Sequence, residues 1–254
     1  MKTKTALVTG ATSGIGRAVA LRLAREGVRL IVNGRRAARL EEVKREIEAA
    51  CATAVCTLPF DVRNRGAVER SLAGLPDEWQ RIDILVNNAG LAAGMAPVHE
   101  GAVDDWERMI DTNIKGLLYV TRAVAPGMVA RGAGHVINIG SIAGRSVYPG
   151  GSVYCATKHA VAALSEGMRM DLLPFGIRVT QICPGAVETE FSLVRFDGDA
   201  SRAARVYAGF TPLTGADIAE AVCFAATQPA HVNIQDLLVM PAAQAGATMI
   251  HREI

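Results

Sequence analysis

The chain has no Pro-, Gly- or Ser-rich linker, no internal repeat and no low-complexity stretch, so residues 1–254 read as one domain. Half of the residues are apolar, ample for the core of one large α/β unit. No apolar run approaches the ~20 residues needed to span a bilayer. The first strand begins at about residue 5, which leaves no room for a secretory signal, so a cytoplasmic protein is expected. Charge of one sign is also missing. Lys and Arg number 27 and Asp and Glu 25, dispersed, for a net charge of +2, so no nucleic-acid footprint is present. The five cysteines (Cys51, Cys56, Cys155, Cys183, Cys223) form no Cys-x-x-C pair, and His99, His135, His159, His231 and His251 are scattered. Thiols in a reducing compartment, and no metal site, are the simplest account.

What is present centres on Ser141 to Lys158, S-I-A-G-R-S-V-Y-P-G-G-S-V-Y-C-A-T-K. Ser141 follows the apolar run Val136–Ile139, where a strand hands over to a loop, a usual place for chemistry in a parallel sheet. Tyr154 and Lys158 are four residues apart, on one face of a helix marked by Ala156, Ala160, Val161, Ala163, Leu164 and Met168. A free phenol with a pKa of about 10 is a poor base at neutral pH. An ammonium about 4 Å away favours the phenolate by roughly 4 kcal/mol at most, which would bring Tyr154 towards the range where acid/base catalysts work. Taken alone, Tyr-x-x-x-Lys is also a common accident of a surface helix.

The other end of the chain supplies context. Thr5–Val8 reads as a short strand that runs into T-G-A-T-S-G-I-G, Thr9 to Gly16, and then into a helix carrying Ala18, Val19, Leu21 and Leu23. Gly10, Gly14 and Gly16 permit a tight turn, and the loop that also holds Thr12, Ser13 and Ile15 brings backbone N–H groups to the positive end of that helix. This is a dinucleotide-binding pattern at the start of a βαβ unit.

With Asn-Asn-Ala-Gly at 87–90, Asn113, Ser141 and Tyr154-x-x-x-Lys158 in that order, the chain resembles the short-chain dehydrogenase/reductase family over essentially its whole length. The resemblance implies a doubly wound α/β Rossmann fold with a seven-stranded, mainly parallel sheet. It implies Asn113, Ser141, Tyr154 and Lys158 as the catalytic set. Tyr154 would exchange a proton with the substrate oxygen, and Ser141 would hydrogen-bond that oxygen. Lys158 would hold the nicotinamide ribose and lower the phenol pKa, and Asn113 would hold a water in the proton relay. An ordinary structural Asn, bonded to backbone, is the competing reading of Asn113. A cofactor-sensing regulator on the same fold is the alternative to an enzyme.

Further strands are expected at Leu30–Val32, Ala54–Leu58, Ile82–Val86, Val136–Ile139, Ile177–Ile182 and Leu237–Met240, with helices over Trp106–Leu118 and Asp217–Ala226. After the second strand, Asn33-Gly34-Arg35-Arg36 lacks the acid that NAD enzymes commonly place there. Its two guanidinium groups suit a 2′-phosphate, so NADP is the expected cofactor, with Arg35 the main contact and Arg36 its helper. The plainer reading makes both arginines the start of an exposed helix face. The resemblance places Asp61 and Val62 at the adenine. It places Asn88, Ala89 and Gly90 along the cofactor, and Pro184, Gly185, Val187 and Thr189 beside nicotinamide and phosphates.

The segment from Glu190 to about Gly215 lacks clear periodicity and is expected to be a substrate lid. E-F-S-L-V-R-F at 190–196 and P-A-H-V-N-I at 229–234 resemble a narrower group. Its members are NADP-dependent 3-hydroxy acid and serine dehydrogenases and malonic semialdehyde and sulfoacetaldehyde reductases, usually tetramers. That implies a small anionic substrate touched by Ser141, Tyr148 and Arg195, and a homotetramer. Arg145 is the rival anion-binding group, a solvated loop charge is the plain reading of Arg195, and a reductase of larger neutral ketones or 3-oxoacyl thioesters is the alternative function.

Overall fold

The computed structural model describes residues 1 and 4–253. Its strands are β1 (Thr5–Val8), β2 (Arg29–Gly34), β3 (Val55–Pro59), β4 (Ile84–Asn87), β5 (Gly134–Ile139), β6 (Ile177–Pro184) and β7 (Asp236–Val239). They form one seven-stranded sheet in the order β3-β2-β1-β4-β5-β6-β7, every pairing parallel. Register is continuous, with Val8 opposite Val32 and Val86, and Asn87 opposite Asn138.

The helices are α1 (Gly14–Arg25), α2 (Ala37–Cys51), α3 (Arg65–Ala73), α4 (Val103–Ile110), α5 (Leu117–Arg131), α6 (Ser152–Leu172), α7 (Phe191–Arg195), α8 (Ala200–Tyr207) and α9 (Gly215–Thr227). They cover both faces of the sheet, which is why β1 and β6 are buried from end to end rather than alternating. Alternate residues of one strand feed different cores. Ala6, Val8, Leu30 and Val32 pack with Val19 and Leu23 of α1 and Ile218 and Val222 of α9. Leu7, Ile31 and Leu85 pack on the opposite side with Val68 and Leu72 of α3 and Val120 and Val124 of α5. Strand order reverses between β1 and β4, so a crevice opens beyond their carboxyl ends, the position where such sheets bind ligands.

The sheet and the fold class are as the sequence implies, with boundaries moved by one or two residues at most strands. Two expectations change. The helix over Trp106–Leu118 is α4 and the start of α5 joined by a π-helical turn at Asp111–Gly116, which contains Asn113. The aperiodic stretch 190–215 also contains two short helices. α7 is a single turn with no side-chain cap, and α8 begins where Asp199 accepts from the Arg202 amide. Helices this short carry too few apolar positions to show a period in sequence.

Candidate active site

A cleft of about 860 Å³ lies over the carboxyl ends of the strands. Its floor is the glycine loop. Gly10 has a φ of +65°, and a Cβ there would sit 2.9 Å from the Ala89 Cα; at Gly16 a Cβ would sit 2.3 Å from the Gly10 carbonyl oxygen. Glycine is therefore required at both positions. The loop is clamped to the Asn-Asn-Ala-Gly turn: the Asn88 side chain donates to the carbonyls of Thr9 (2.8 Å) and Gly10 (3.2 Å), while the Thr9 hydroxyl accepts from the Asn88 and Ala89 amides. Ser13 precedes α1 without capping it, and the first turn of α1 holds no acid. The amides at this helix start therefore face the cleft with the positive end of the helix dipole behind them, which fits a pyrophosphate.

At the adenosine end, Arg35 is exposed and lines the cleft. Arg36 is engaged: one guanidinium nitrogen donates to the hydroxyls of Thr12 (3.0 Å) and Ser13 (3.2 Å) and pairs with Glu190 at 3.1 Å. Asp61 and Val62 also line the cleft. Burial alone would raise the Asp61 carboxyl, but the Arg63 guanidinium, bonded to both of its oxygens, holds it below the usual carboxylate range. Ile15, Ala89, Pro184, Gly185, Val187 and Thr189 complete this wall, and Thr189 lies 3.2 Å from where a Cβ on Gly14 would be.

The four candidate catalytic residues converge. Ser141 ends the loop after β5, and its hydroxyl accepts from the Ala143 amide at 3.1 Å. Tyr154 and Lys158 project from α6 and are buried. The Lys158 ammonium donates to the Ile139 carbonyl at 2.9 Å and lies 6.0 Å from the Tyr154 ring centre. Burial pushes Lys158 down to about 8. It pushes the Tyr154 phenol up, with Tyr148 adding to the shift and the neighbouring Ser141 and Arg195 opposing it. This corrects the sequence-based expectation of a phenol drawn towards neutrality by Lys158. The ammonium is turned to a carbonyl, and desolvation of a buried phenolate outweighs the nearby positive charge. Asn113 is fully occupied. Its amide oxygen accepts from the Leu91 amide (2.9 Å), and its nitrogen donates to the Leu91 carbonyl (2.8 Å) and the Thr157 hydroxyl (3.0 Å). The side chain thus clamps the segment after Gly90.

On the substrate side, Arg195 at the end of α7 donates through Nε to the Gly94 carbonyl (3.2 Å) and through Nη1 to the Tyr148 hydroxyl (3.1 Å). Its Nη2 is buried without a partner. The guanidinium carbon lies 5.4 Å from the Tyr148 ring centre and 5.9 Å from that of Tyr154. Arg145, the rival, is bonded to Asp236 and does not line the cleft. Sequence reasoning missed Phe191, packed 5.7 Å from Tyr154, and Tyr207, Gln244 and Arg252, which also line the cleft. Phe191 sits within the E-F-S-L-V-R-F segment, whereas nothing local marks the other three, whose place follows from how the last fifty residues fold back.

A glycine cradle, a tyrosine–lysine pair on one helix and a serine at the end of β5 together define a nicotinamide-dependent oxidoreductase of the Rossmann type. A sequence model of the short chain dehydrogenase family matches residues 4–198, and the chain belongs to that family. It is 52% identical to the NADP-dependent 3-hydroxy acid dehydrogenase YdfG of Escherichia coli K12, over 97% of this chain and 99% of that protein. The closed form of serine dehydrogenase complexed with NADP+ superimposes with a TM-score of 0.91 at 52% identity, covering 98% of this chain and all of that one. A 3-ketoacyl-ACP reductase from Sinorhizobium meliloti superimposes with a TM-score of 0.82 at 30% identity, covering 93% of this chain and 97% of that one.

Proposed function

We propose that the chain transfers a hydride between NADP(H) and a small anionic 3-hydroxy acid or aldehyde, of the serine, 3-hydroxyisobutyrate, malonic semialdehyde or sulfoacetaldehyde type. One observation carries the anionic substrate: the buried, unpartnered Nη2 of Arg195 beside Tyr148 and Tyr154. A buried guanidinium donor without an acceptor is costly, and a carboxylate or sulfonate gripped there removes that cost. A larger neutral ketone or acyl thioester offers it only an uncharged carbonyl acceptor, a weaker match for a guanidinium.

Arg35, with Arg36 as helper, holds the 2′-phosphate, and the glycine loop and the start of α1 hold the pyrophosphate. When bound, NADP supplies the hydride acceptor or donor. Ser141 orients the substrate oxygen. Tyr154 takes its proton during oxidation and returns it during reduction. Lys158, buried and cationic at neutral pH, favours the phenolate once its ammonium reaches the ribose and phenol side of the cleft. Residues 190–215 act as the lid of a single domain. All five cysteines are free, which suits the reducing cytoplasm, and exposed Val103, Ile110 and Leu118 on α4 and α5 suit burial in a homotetramer. No helix among the described residues is long and apolar enough to cross a membrane, and no three His, Cys, Asp or Glu side chains there gather as a metal site.

The test is a panel of serine, 3-hydroxyisobutyrate, malonic semialdehyde, sulfoacetaldehyde and acetoacetyl thioester, each with NADP(H) and NAD(H). Turnover of the small anions with NADP(H) supports the reading. Preference for the thioester, or no turnover at all, contradicts it.

A further inference from the structure

We propose that Tyr207 is a positioning residue: its hydroxyl, bonded to Ser192, sets the rotation of α7 and so aims Arg195 at the substrate's anion. The inference rests on the anion-binding reading of Arg195. α7 is five residues long, and a single helical turn has almost no stability of its own, so tertiary bonds must fix its orientation. Ser192 and Arg195 are three residues apart and share a face of that turn. Whatever holds Ser192 therefore determines where the guanidinium points.

The Ser192 and Tyr207 hydroxyls are 2.7 Å apart, and the Tyr207 hydroxyl lies 2.9 Å from the Val187 carbonyl. A carbonyl can only accept, so the Tyr207 proton goes to Val187 and the Ser192 hydroxyl donates to Tyr207. The chain of bonds has one direction and links the lid turn to the loop that follows β6. Burial pushes the Tyr207 phenol above its ordinary value, so the proton this chain needs is present throughout the neutral range.

Tyr207 is itself held in place. It is the last residue of α8. The Arg252 guanidinium bonds the carbonyls of Val206 and Ala208 on either side of it and stacks 5.2 Å from the Phe210 ring centre. The Glu253 amide adds a bond to the Gly209 carbonyl at 2.7 Å. The C-terminal residues thus anchor Tyr207, and Ser192 registers against it. At the other end of the turn, Arg195 exchanges backbone and side-chain bonds with Gly94, so α7 is held at both ends with Nη2 left over for a ligand.

Tyr207→Phe keeps the ring and removes only the hydroxyl. If its role were packing alone, neither substrate would suffer, and a general lid defect would slow both alike; as a positioning residue it affects only the anionic one. Steady-state kinetics with 3-hydroxyisobutyrate and with the neutral 2-methyl-1,3-propanediol should show KM for the acid raised roughly two- to ten-fold, the worth of one hydrogen bond, with kcat and the diol's KM little changed. Ser192→Ala should do the same, the double variant should be no worse than either single one, and Tyr207→Phe should add nothing in an Arg195→Ala background. Hydrogen exchange of amides 191–195 should be faster in Tyr207→Phe, a readout independent of any substrate. Equal losses on acid and diol, additive effects, or unchanged exchange overturn the proposal. Should Arg195→Ala itself show no selectivity for the acid, the functional reading fails, and the exchange data still decide whether Tyr207 sets α7.

Discussion

Replacing Asn113 with Ala separates a structural clamp from a catalytic group. In the structure its amide satisfies both polar backbone groups of Leu91, at 2.9 and 2.8 Å, and donates to the Thr157 hydroxyl, whose own proton is given to the Tyr154 carbonyl. Asn113 is buried, so Ala leaves the Leu91 N–H and C=O without partners. At about 1–3 kcal/mol for each stranded group, the loss of stability is roughly 2–6 kcal/mol. That is a large share of the 5–15 kcal/mol, roughly, that holds a domain together. Urea unfolding monitored by tryptophan fluorescence reads it as a lower midpoint. Asn113→Asp sharpens the argument. An ionised Asp keeps the bond from the Leu91 amide but turns an oxygen towards the Leu91 carbonyl, which has no proton to give, and the Thr157 hydroxyl, which gives its proton only by releasing the Tyr154 carbonyl. Its carboxyl is therefore raised in the folded state, and Asn113→Asp gains stability as the pH falls through that raised value, because protonation restores a donor. A loss below about 1 kcal/mol in Asn113→Ala would refute the clamp and favour a purely catalytic role.

Tyr154→Phe should retain NADP binding while kcat falls by about 10² to 10⁴, since the ring still packs but the transferable proton is gone; residual kcat above roughly a tenth would remove Tyr154 from the chemistry. Arg35→Ala should weaken NADP binding about ten- to a hundred-fold and leave NAD binding almost unchanged in titrations of intrinsic fluorescence. Arg36→Ala should cost less, because Glu190 already neutralises that guanidinium. Lys158 has a folded value near 8, below its ordinary 10.5, so the unfolded chain binds more protons between the two. Relative to Lys158→Met, the wild type without cofactor should gain stability as pH rises through that window, and a flat difference in Tm would contradict the buried ammonium.

The sheet, the glycine loop and the Tyr154–Lys158 pair were legible because each rests on a local rule, whereas Asn113 joined the set only through the family resemblance. Short strands buried on both faces read as apolar runs, and a turn that tolerates no Cβ must be glycine, as Gly10 and Gly16 show. The environment of those side chains was not legible. The Tyr154–Lys158 spacing gave a correct shared face, yet the direction of the phenol's shift depended on burial and on the Ile139 carbonyl, which spacing does not encode. Arg195 stood out only through a family-like heptapeptide, and its orphaned nitrogen required the packed site to become visible. Tyr207, Gln244 and Arg252 were silent, since chain segments far apart in sequence bring them to the cleft.

The central claim, that Arg195 reads the charge of a small hydroxy acid, is tested most directly by kcat/KM of wild type and Arg195→Ala on 3-hydroxyisobutyrate and on 2-methyl-1,3-propanediol, with NADP saturating. The account predicts a loss of about ten-fold or more on the acid and a far smaller one on the diol, because only the acid brings a charged acceptor to the unpartnered Nη2. Equal losses on the two substrates would contradict it.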